Sequence, residues 1–201
     1  MVAISIMSKP TITIVVAALK PQWGIGYQGK LPWRLKQEMK YFKQVTSHTT
    51  VDNHKNVVIM GRKTWDSIPE KYRPLPDRIN VVLSRSFQNE IIDSSLYHAN
   101  SIENSLKLLN PNQIERIFLI GGGEIYNEAI NNDLVSHLLI TEIETEKSVP
   151  MDTFLNINLQ ENWVKNSNQQ LKQFLNNENI DLKLDIQEGD YKYNYSLYTR
   201  K

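Results

Sequence analysis

Four short runs rich in Val and Ile, Ile12–Leu19, 57–60, 79–83 and 117–120, constrain what this chain can fold into. Each is apolar throughout rather than alternating, so each reads as a strand covered on both faces. Each is followed by a loop or a helix-forming stretch, and strand, crossover, strand is the order that parallel pairing requires. The spacing of apolar residues predicts helices over 35–46, 64–68, 102–109 and 124–131. From residue 134 the pattern changes: 138–143 reads as a strand, and 181–187 faces 192–198 across Glu188-Gly189-Asp190-Tyr191, a hairpin signal. The expected architecture is α/β, with one mixed, mostly parallel sheet, an antiparallel C-terminal hairpin and helices on both faces. Eight Asn lie between 156 and 179, interrupted by Trp163, Val164, Leu171 and Phe174, which predicts a polar surface excursion rather than a linker.

A length of 201 residues suits a single domain able to bury a full core, read here as 11–201 behind an N-terminal extension, 1–10, with no assigned role. With 23 Lys and Arg against 22 Asp and Glu, the net charge of +1 excludes a partner held by bulk charge, nucleic acid above all. The chain has 0 cysteines, which removes disulfides, thiol nucleophiles and thiolate-bound metal centres. Redox chemistry would have to be borrowed from a cofactor. The longest apolar run, 11–19, is about half of what crosses a bilayer, and no cationic leader with a cleavage site surrounds it. The expectation is therefore a soluble cytoplasmic protein with no membrane partner, and the polar Asn-rich segment, offering no evident interface, suggests a monomer.

Three junctions carry chemistry. Ile117-Phe118-Leu119-Ile120-Gly121-Gly122-Gly123-Glu124-Ile125-Tyr126 runs from strand through glycines to helix, where missing side chains let a phosphate or flat ring approach the backbone. Tyr126 stands where the Rossmann fingerprint needs its last Gly, so that motif is absent. The alternative is a tight turn with no ligand. Val58-Ile59-Met60-Gly61-Arg62-Lys63-Thr64-Trp65 sets two cations and a hydroxyl at a helix start, without the spacing of a P-loop. Leu83-Ser84-Arg85-Ser86 repeats the arrangement at a third strand end. Taken singly, each of these cations reads more readily as a solvated surface charge; three such strand ends together are harder to explain that way. Glu38 is the unusual acid: Leu35, Met39, Phe42 and Val45 form the apolar stripe of its helix, and Glu38 lies on or beside it. It is either a rim glutamate bonded to Arg34 or an acid that recognises an amidine-like ligand or manages a proton. His48, His54, His98 and His137 lack metal-ligand spacing, so no metal site is expected, and no hydrolase elbow is present.

Together these residues resemble the dihydrofolate reductases, the fungal members most closely, from about residue 11 to 201. The resemblance rests on Val16-Ala17-Ala18, Gly24-Ile25-Gly26, Leu31-Pro32-Trp33, the Glu38 helix with Tyr41-Phe42, Met60 to Trp65, Arg73-Pro74-Leu75-Pro76-Asp77-Arg78, Leu83-Ser84-Arg85, the glycine triplet with Tyr126, and Thr141-Glu142-Ile143. It implies hydride transfer from NADPH to 7,8-dihydrofolate, giving tetrahydrofolate for one-carbon metabolism, with antifolates such as methotrexate as inhibitors. It implies that Glu38 and Thr141 hold the pterin, Glu38 favouring protonation at N5, and that Leu31 and Trp33 close the site. Substrate contacts would come from Met39, Phe42, Ser67, Ile68, Leu75, Ile120 and Tyr126, with Arg78 on the glutamate α-carboxylate. Cofactor contacts would come from Ala17, Ile25, Gly26, Gly29, Lys30, Gly61, Arg62, Lys63, Thr64, Leu83, Ser84, Arg85, Ser86, Gly121, Gly122, Gly123, Glu124, Ile125 and Tyr126. A cis peptide joins Gly121 to Gly122 if the family pattern holds. The chain departs from the family at Asp152-Thr153-Phe154-Leu155-Asn156, where many members carry Phe-Pro, and at Leu31, where others carry Met. Competing readings are a related pterin or pyrimidine reductase, against which Arg78 with Phe42, Ile68 and Leu75 argues, and a non-catalytic binding protein, against which Glu38, Thr141 and the glycine junctions argue.

Overall fold

Runs that are apolar on both sides need cover on both sides, and they form the centre of one sheet. The computed structural model describes residues 11–201, so the predicted extension 1–10 lies outside the described residues. The strands are β1 (Ile12–Leu19), β2 (Gly24–Gly26), β3 (Lys55–Gly61), β4 (Arg78–Leu83), β5 (Glu90–Ile91), β6 (Leu96–Ala99), β7 (Ile114–Leu119), β8 (Val135–Glu144), β9 (Thr153–Phe154), β10 (Trp163–Lys165), β11 (Ile186–Glu188) and β12 (Tyr191–Arg200). The helices are α1 (Lys36–Ser47), α2 (Arg62–Ser67), α3 (Ile102–Lys107), α4 (Gly123–Asn131), α5 (Leu159–Asn162) and α6 (Asn168–Leu175). The sheet runs β10-β12-β8-β1-β7-β3-β4-β6-β5, with β11 on β12 and with β2 joining β1 to β9. β8, β1, β7, β3, β4 and β6 are parallel in succession, and the antiparallel pairs lie at the two ends and along β2. No helix among the described residues is long and apolar enough to cross a membrane.

Alternation along each strand divides the core in two. Ile12, Ile14 and Val16 of β1 join Val57 and Ile59 of β3 under α3 and α4 on one face. Val15, Val58, Met60 and Phe118 face the other way, where Leu35, Tyr41 and Val45 of the α1 region and Leu171 and Leu175 of α6 cover them. All of these side chains are buried, which is the arrangement that a doubly covered parallel sheet demands.

Three expectations need correction. The predicted strand 181–187 is cut to Ile186–Glu188, because Asp185 takes a positive φ of 54° and its N–H bonds to Asn194 Oδ1 at 2.8 Å, outside the ladder. β6 escaped notice because Tyr97 and His98 interrupt its apolar pattern, yet it pairs parallel to β4. The Asn-rich excursion holds more structure than its polarity suggests: Ser167 and Gln170 form a capping box, and Leu171 and Leu175 turn a buried stripe inward before Asn176 ends α6 at φ 45°. This segment touches α1 directly, with Gln44 Nε2 donating to Asn179 O at 3.1 Å and His48 Nε2 to Asn176 O at 3.1 Å. Leu171→Ala should therefore cost about 2–4 kcal/mol of unfolding free energy in urea titration, with little change in the slope; a loss below about 0.5 kcal/mol would mean α6 is a loose appendage.

Candidate active site

Parallel strands end at the same edge of a sheet, and the three junctions singled out above are brought together there. Gly61 at the end of β3 is in register with Leu83 at the end of β4. On its other side Gly61 N–H donates to Gly121 O at 2.8 Å, just beyond β7. Arg62, Lys63 and Arg85 are exposed along this edge, and Ser84 and Ser86 share a hydroxyl bond of 2.9 Å. Lys63 has only a 4.0 Å approach to Glu124, both side chains being largely solvent-facing, so its charge is available. Glycine is required at the triplet. Gly121 has a φ of +131°, its peptide to Gly122 is cis, and a Cβ on Gly123 would lie 2.8 Å from Thr153 Cγ2. Thr64 Oγ1 would meet a Cβ on either Gly121 or Gly122 at 3.3 Å, and Ile125 would crowd one on Gly61 at 3.3 Å. The result is a backbone-lined groove edged by cations, a shape that suits a dinucleotide phosphate.

The loop from residue 20 to 35 closes one side. Ile25 and Gly26 are buried in β2, and Asp152 ties the loop down by donating its N–H to Gly26 O at 3.1 Å and accepting Gln28 N–H at 2.7 Å. Gly29 and Lys30 are exposed in a turn closed by reciprocal Tyr27–Lys30 bonds of 2.9 and 3.0 Å. Leu31 points outward, 52% exposed, whereas Trp33 is buried and stands edge-on to Tyr191. Trp33 Nε1 is the buried side-chain nitrogen without a partner among the described residues, a donor suited to a polar ligand atom.

Glu38 does not pair with Arg34, which is exposed. Its carboxyl is buried at 6% exposure and accepts from Thr141 Oγ1 at 3.2 Å. Burial pushes its pKa up to about 7; the Thr141 hydroxyl opposes the shift and the charge of Glu188 adds to it. Tyr41 and Tyr195, stacked at 3.7 Å, and Tyr126 complete the enclosure, each phenol pushed upward chiefly by burial and further by Glu38. Tyr126 is committed structurally, its hydroxyl donating to Val15 O at 3.0 Å. Ala17 pairs with Thr141 across β1 and β8, so cofactor groove and acid adjoin.

Arg78 is the second buried charge. Its Nε donates to Pro76 O at 2.9 Å and Nη1 to Thr46 Oγ1 at 2.7 Å. Among the described residues no carboxylate lies within ion-pair distance of it, and burial pulls its pKa down to about 10 against the pull of Asp77. A buried guanidinium with the Nη2 end of its fork unclaimed is suited to an incoming carboxylate. Phe42, on α1 between Glu38 and Thr46, and Ile68, Leu75 and Ile120 are half-buried against the core cluster that includes Tyr41 and Val45 of α1. Met39 is 52% exposed, and Ser67 is exposed with its hydroxyl spent on Thr64 O at 2.6 Å, so both stand at the rim. Sequence reasoning missed Thr46, whose placement one turn after Phe42 was the available signal, and Tyr195, which gave none; Asp152, which reads from the sequence as a turn or cap residue, ties down the loop. Among the described residues no cluster of His, Asp and Glu is arranged to hold a metal ion.

A doubly covered parallel sheet with a glycine-lined, cation-edged groove at its strand ends, beside the buried Glu38 carboxyl, defines the class: an α/β fold with its ligand site at the carboxyl ends of the strands. Residues 11–187 match the family model described as dihydrofolate reductase. The chain is 59% identical to a dihydrofolate reductase of Candida albicans over 97% of its own length and 100% of the relative's. It is 43% identical to the Saccharomyces cerevisiae dihydrofolate reductase over 96% and 98%. A bifunctional dihydrofolate reductase-thymidylate synthase of Arabidopsis thaliana is 48% identical over 74% of this chain and 27% of its own. The chain belongs to the dihydrofolate reductase family.

The folded protein holds the Glu38 proton up to about pH 7, whereas the unfolded chain releases it near the ordinary value of 4.5. Raising the pH across that window therefore withdraws stability. Relative to the wild type, Glu38→Gln should gain about 3 kcal/mol between pH 4.5 and 7.5, read from urea unfolding at each pH. A constant difference would mean that Glu38 ionises normally.

Proposed function

We propose that the protein reduces 7,8-dihydrofolate to 5,6,7,8-tetrahydrofolate with NADPH as hydride donor. The observation that carries this reading is the order of groups along α1. Glu38, Phe42 and Thr46 recur every four residues on one face, and Arg78 is bonded to Thr46. Eight residues of helix rise about 12 Å. An acid, an apolar wall and a cation in that order match an amino-pterin head, an aromatic middle and a carboxylate tail. A pterin or pyrimidine substrate without such a tail gives Arg78 nothing to bind.

The residues present fit the cofactor: glycines after β7 that side chains would obstruct, and cations with hydroxyls at the neighbouring ends of β3 and β4. Arg62, Lys63, Thr64, Ser84 and Arg85 would hold its phosphates, Gly121, Gly122 and Gly123 its backbone approach, and Ala17, Ile25 and Gly26 its nicotinamide. Bound there, NADPH supplies a hydride, and the cations favour it over NADH through the extra phosphate.

The chain's own groups do the rest. The Glu38 carboxyl accepts from the 2-amino group and ring nitrogen of the pterin, holds Thr141 as its fixed partner, and favours protonation at N5. A proton on N5 makes the adjacent carbon electron-poor and ready for hydride. Trp33 and Leu31 limit water entry, so that charge developing on the ring is met by fixed groups. Antifolates such as methotrexate would occupy the same pocket by presenting an amidine-like edge to Glu38. We read the active unit as a monomer, since these residues of one chain complete the site.

The direct test is loss of NADPH absorbance on adding dihydrofolate to purified protein, repeated with methotrexate and with NADH. Methotrexate-sensitive oxidation that prefers NADPH is expected; tight NADPH binding without oxidation would overturn the reading. Arg78→Leu should weaken dihydrofolate binding by about a hundredfold and leave NADPH affinity unchanged, measured by fluorescence titration. Equal loss of both ligands would remove Arg78 from the substrate site.

A further inference from the structure

Glu188 has no part in the groove, yet it reaches the helix that carries the acid. It closes β11, at the turn of the C-terminal hairpin, and its carboxylate accepts the backbone N–H of Lys36 and, at 3.2 Å, that of Gln37. The Tyr193 hydroxyl donates to it at 3.0 Å. Those two amides open α1, and Leu35, the residue before them, supplies no side-chain cap. A helix starts with unpaired N–H groups and a partial positive charge that stabilises nearby anions. Glu38 is the third residue of α1, within the turn over which that stabilisation acts.

The charges around Glu38 are otherwise few. Thr141 from β8 bonds to it; Tyr41 of α1, Tyr195 of β12 and Tyr126 of α4 feel its charge; Glu188 of β11 acts on it as a like charge. Among the described residues no cation is among the groups that act on it. The far end of α1 is tied to the same part of the chain through Gln44 and His48 on Asn179 and Asn176.

We propose that Glu188 is a positioning residue for Glu38: by holding the Lys36 and Gln37 amides it fixes the turn of α1 that aims Glu38 at Thr141, and keeps the helix start from stabilising the Glu38 carboxylate. The inference rests on Glu38 being the acid of the proposed reaction, and its test separates the two claims.

The experiment follows the Glu38 carboxyl by carbon NMR through a pH titration of the whole protein, assigned with Glu38→Gln, alongside the pH profile of turnover. In Glu188→Gln a neutral amide replaces the like charge, so Glu38 should ionise at a pH lower by about half a unit or more. The alkaline limb of turnover should move acidward with it, lowering activity at pH 8 by about threefold, with KM for dihydrofolate little changed. Glu188→Asp keeps the charge but is one methylene short and releases the Lys36 and Gln37 amides, so the Glu38 midpoint should fall, but by less than in Glu188→Gln. Amide exchange at Lys36 and Gln37 should quicken at least about tenfold.

An unchanged Glu38 midpoint in folded Glu188→Gln would overturn the proposal, leaving Glu188 a structural cap that lowers only the melting temperature. Should Glu188→Gln fail to fold, unchanged exchange in Glu188→Asp would overturn it equally. A midpoint that falls while the turnover profile stays fixed would support the role of Glu188 and remove Glu38 as the acid.

Discussion

A carboxyl kept out of water with one hydroxyl for company is the constraint on which the rest of this molecule depends. Burying an ionised carboxylate without a counter-charge costs several kcal/mol, and the chain meets that cost by letting Glu38 keep its proton to about pH 7. The surroundings are built to maintain that state. Thr141 offers one hydrogen bond, Tyr41 and Tyr195 stack to exclude water, and the apolar floor of β1, β7 and β8 supplies no cation. The same side chain in solvent would be an ordinary surface glutamate.

Such a group is useful only if its position is fixed, which explains why so much of the chain converges on α1. The helix lies over the sheet through Tyr41 and Val45, is held at its start by Glu188 and at its end by the segment around Asn176 and Asn179, and is bonded to Arg78 through Thr46. The parallel sheet then sets the glycine groove beside it. Gly61 and Gly121 are hydrogen-bonded neighbours because β3 and β7 are neighbours, and Ala17 pairs with Thr141 because β1 and β8 do. Fold and site are one arrangement: strand order decides which loop ends meet.

Much of this was legible in the residues themselves. Val and Ile runs that lack alternation can only be central strands, and glycines or cations directly after three of them marked the ligand edge. Glu38 stood out because its neighbours set an apolar stripe around it. What could not be read were contacts between distant segments. Glu188 ends β11, 152 residues from Lys36, and nothing in its local pattern predicts that it caps α1. The alternative partner for Glu38, Arg34, was nearer in sequence but points to solvent. The Asn-rich segment misled by composition: its polar residues outnumber Leu171 and Leu175, yet those two, at helical spacing, decide where it packs. Asp185 cut a predicted strand short through one left-handed residue.

The central claim, that the buried Glu38 carboxyl governs a proton needed for reduction, is tested most directly by the pH dependence of the single-turnover hydride-transfer rate in the wild type and in Glu38→Gln. The account predicts a wild-type rate that falls about tenfold per pH unit above a midpoint near 7. The variant should be slower by about a hundredfold or more and flat across the same range. A variant that keeps the wild-type rate, or that keeps the same fall with pH, would contradict it.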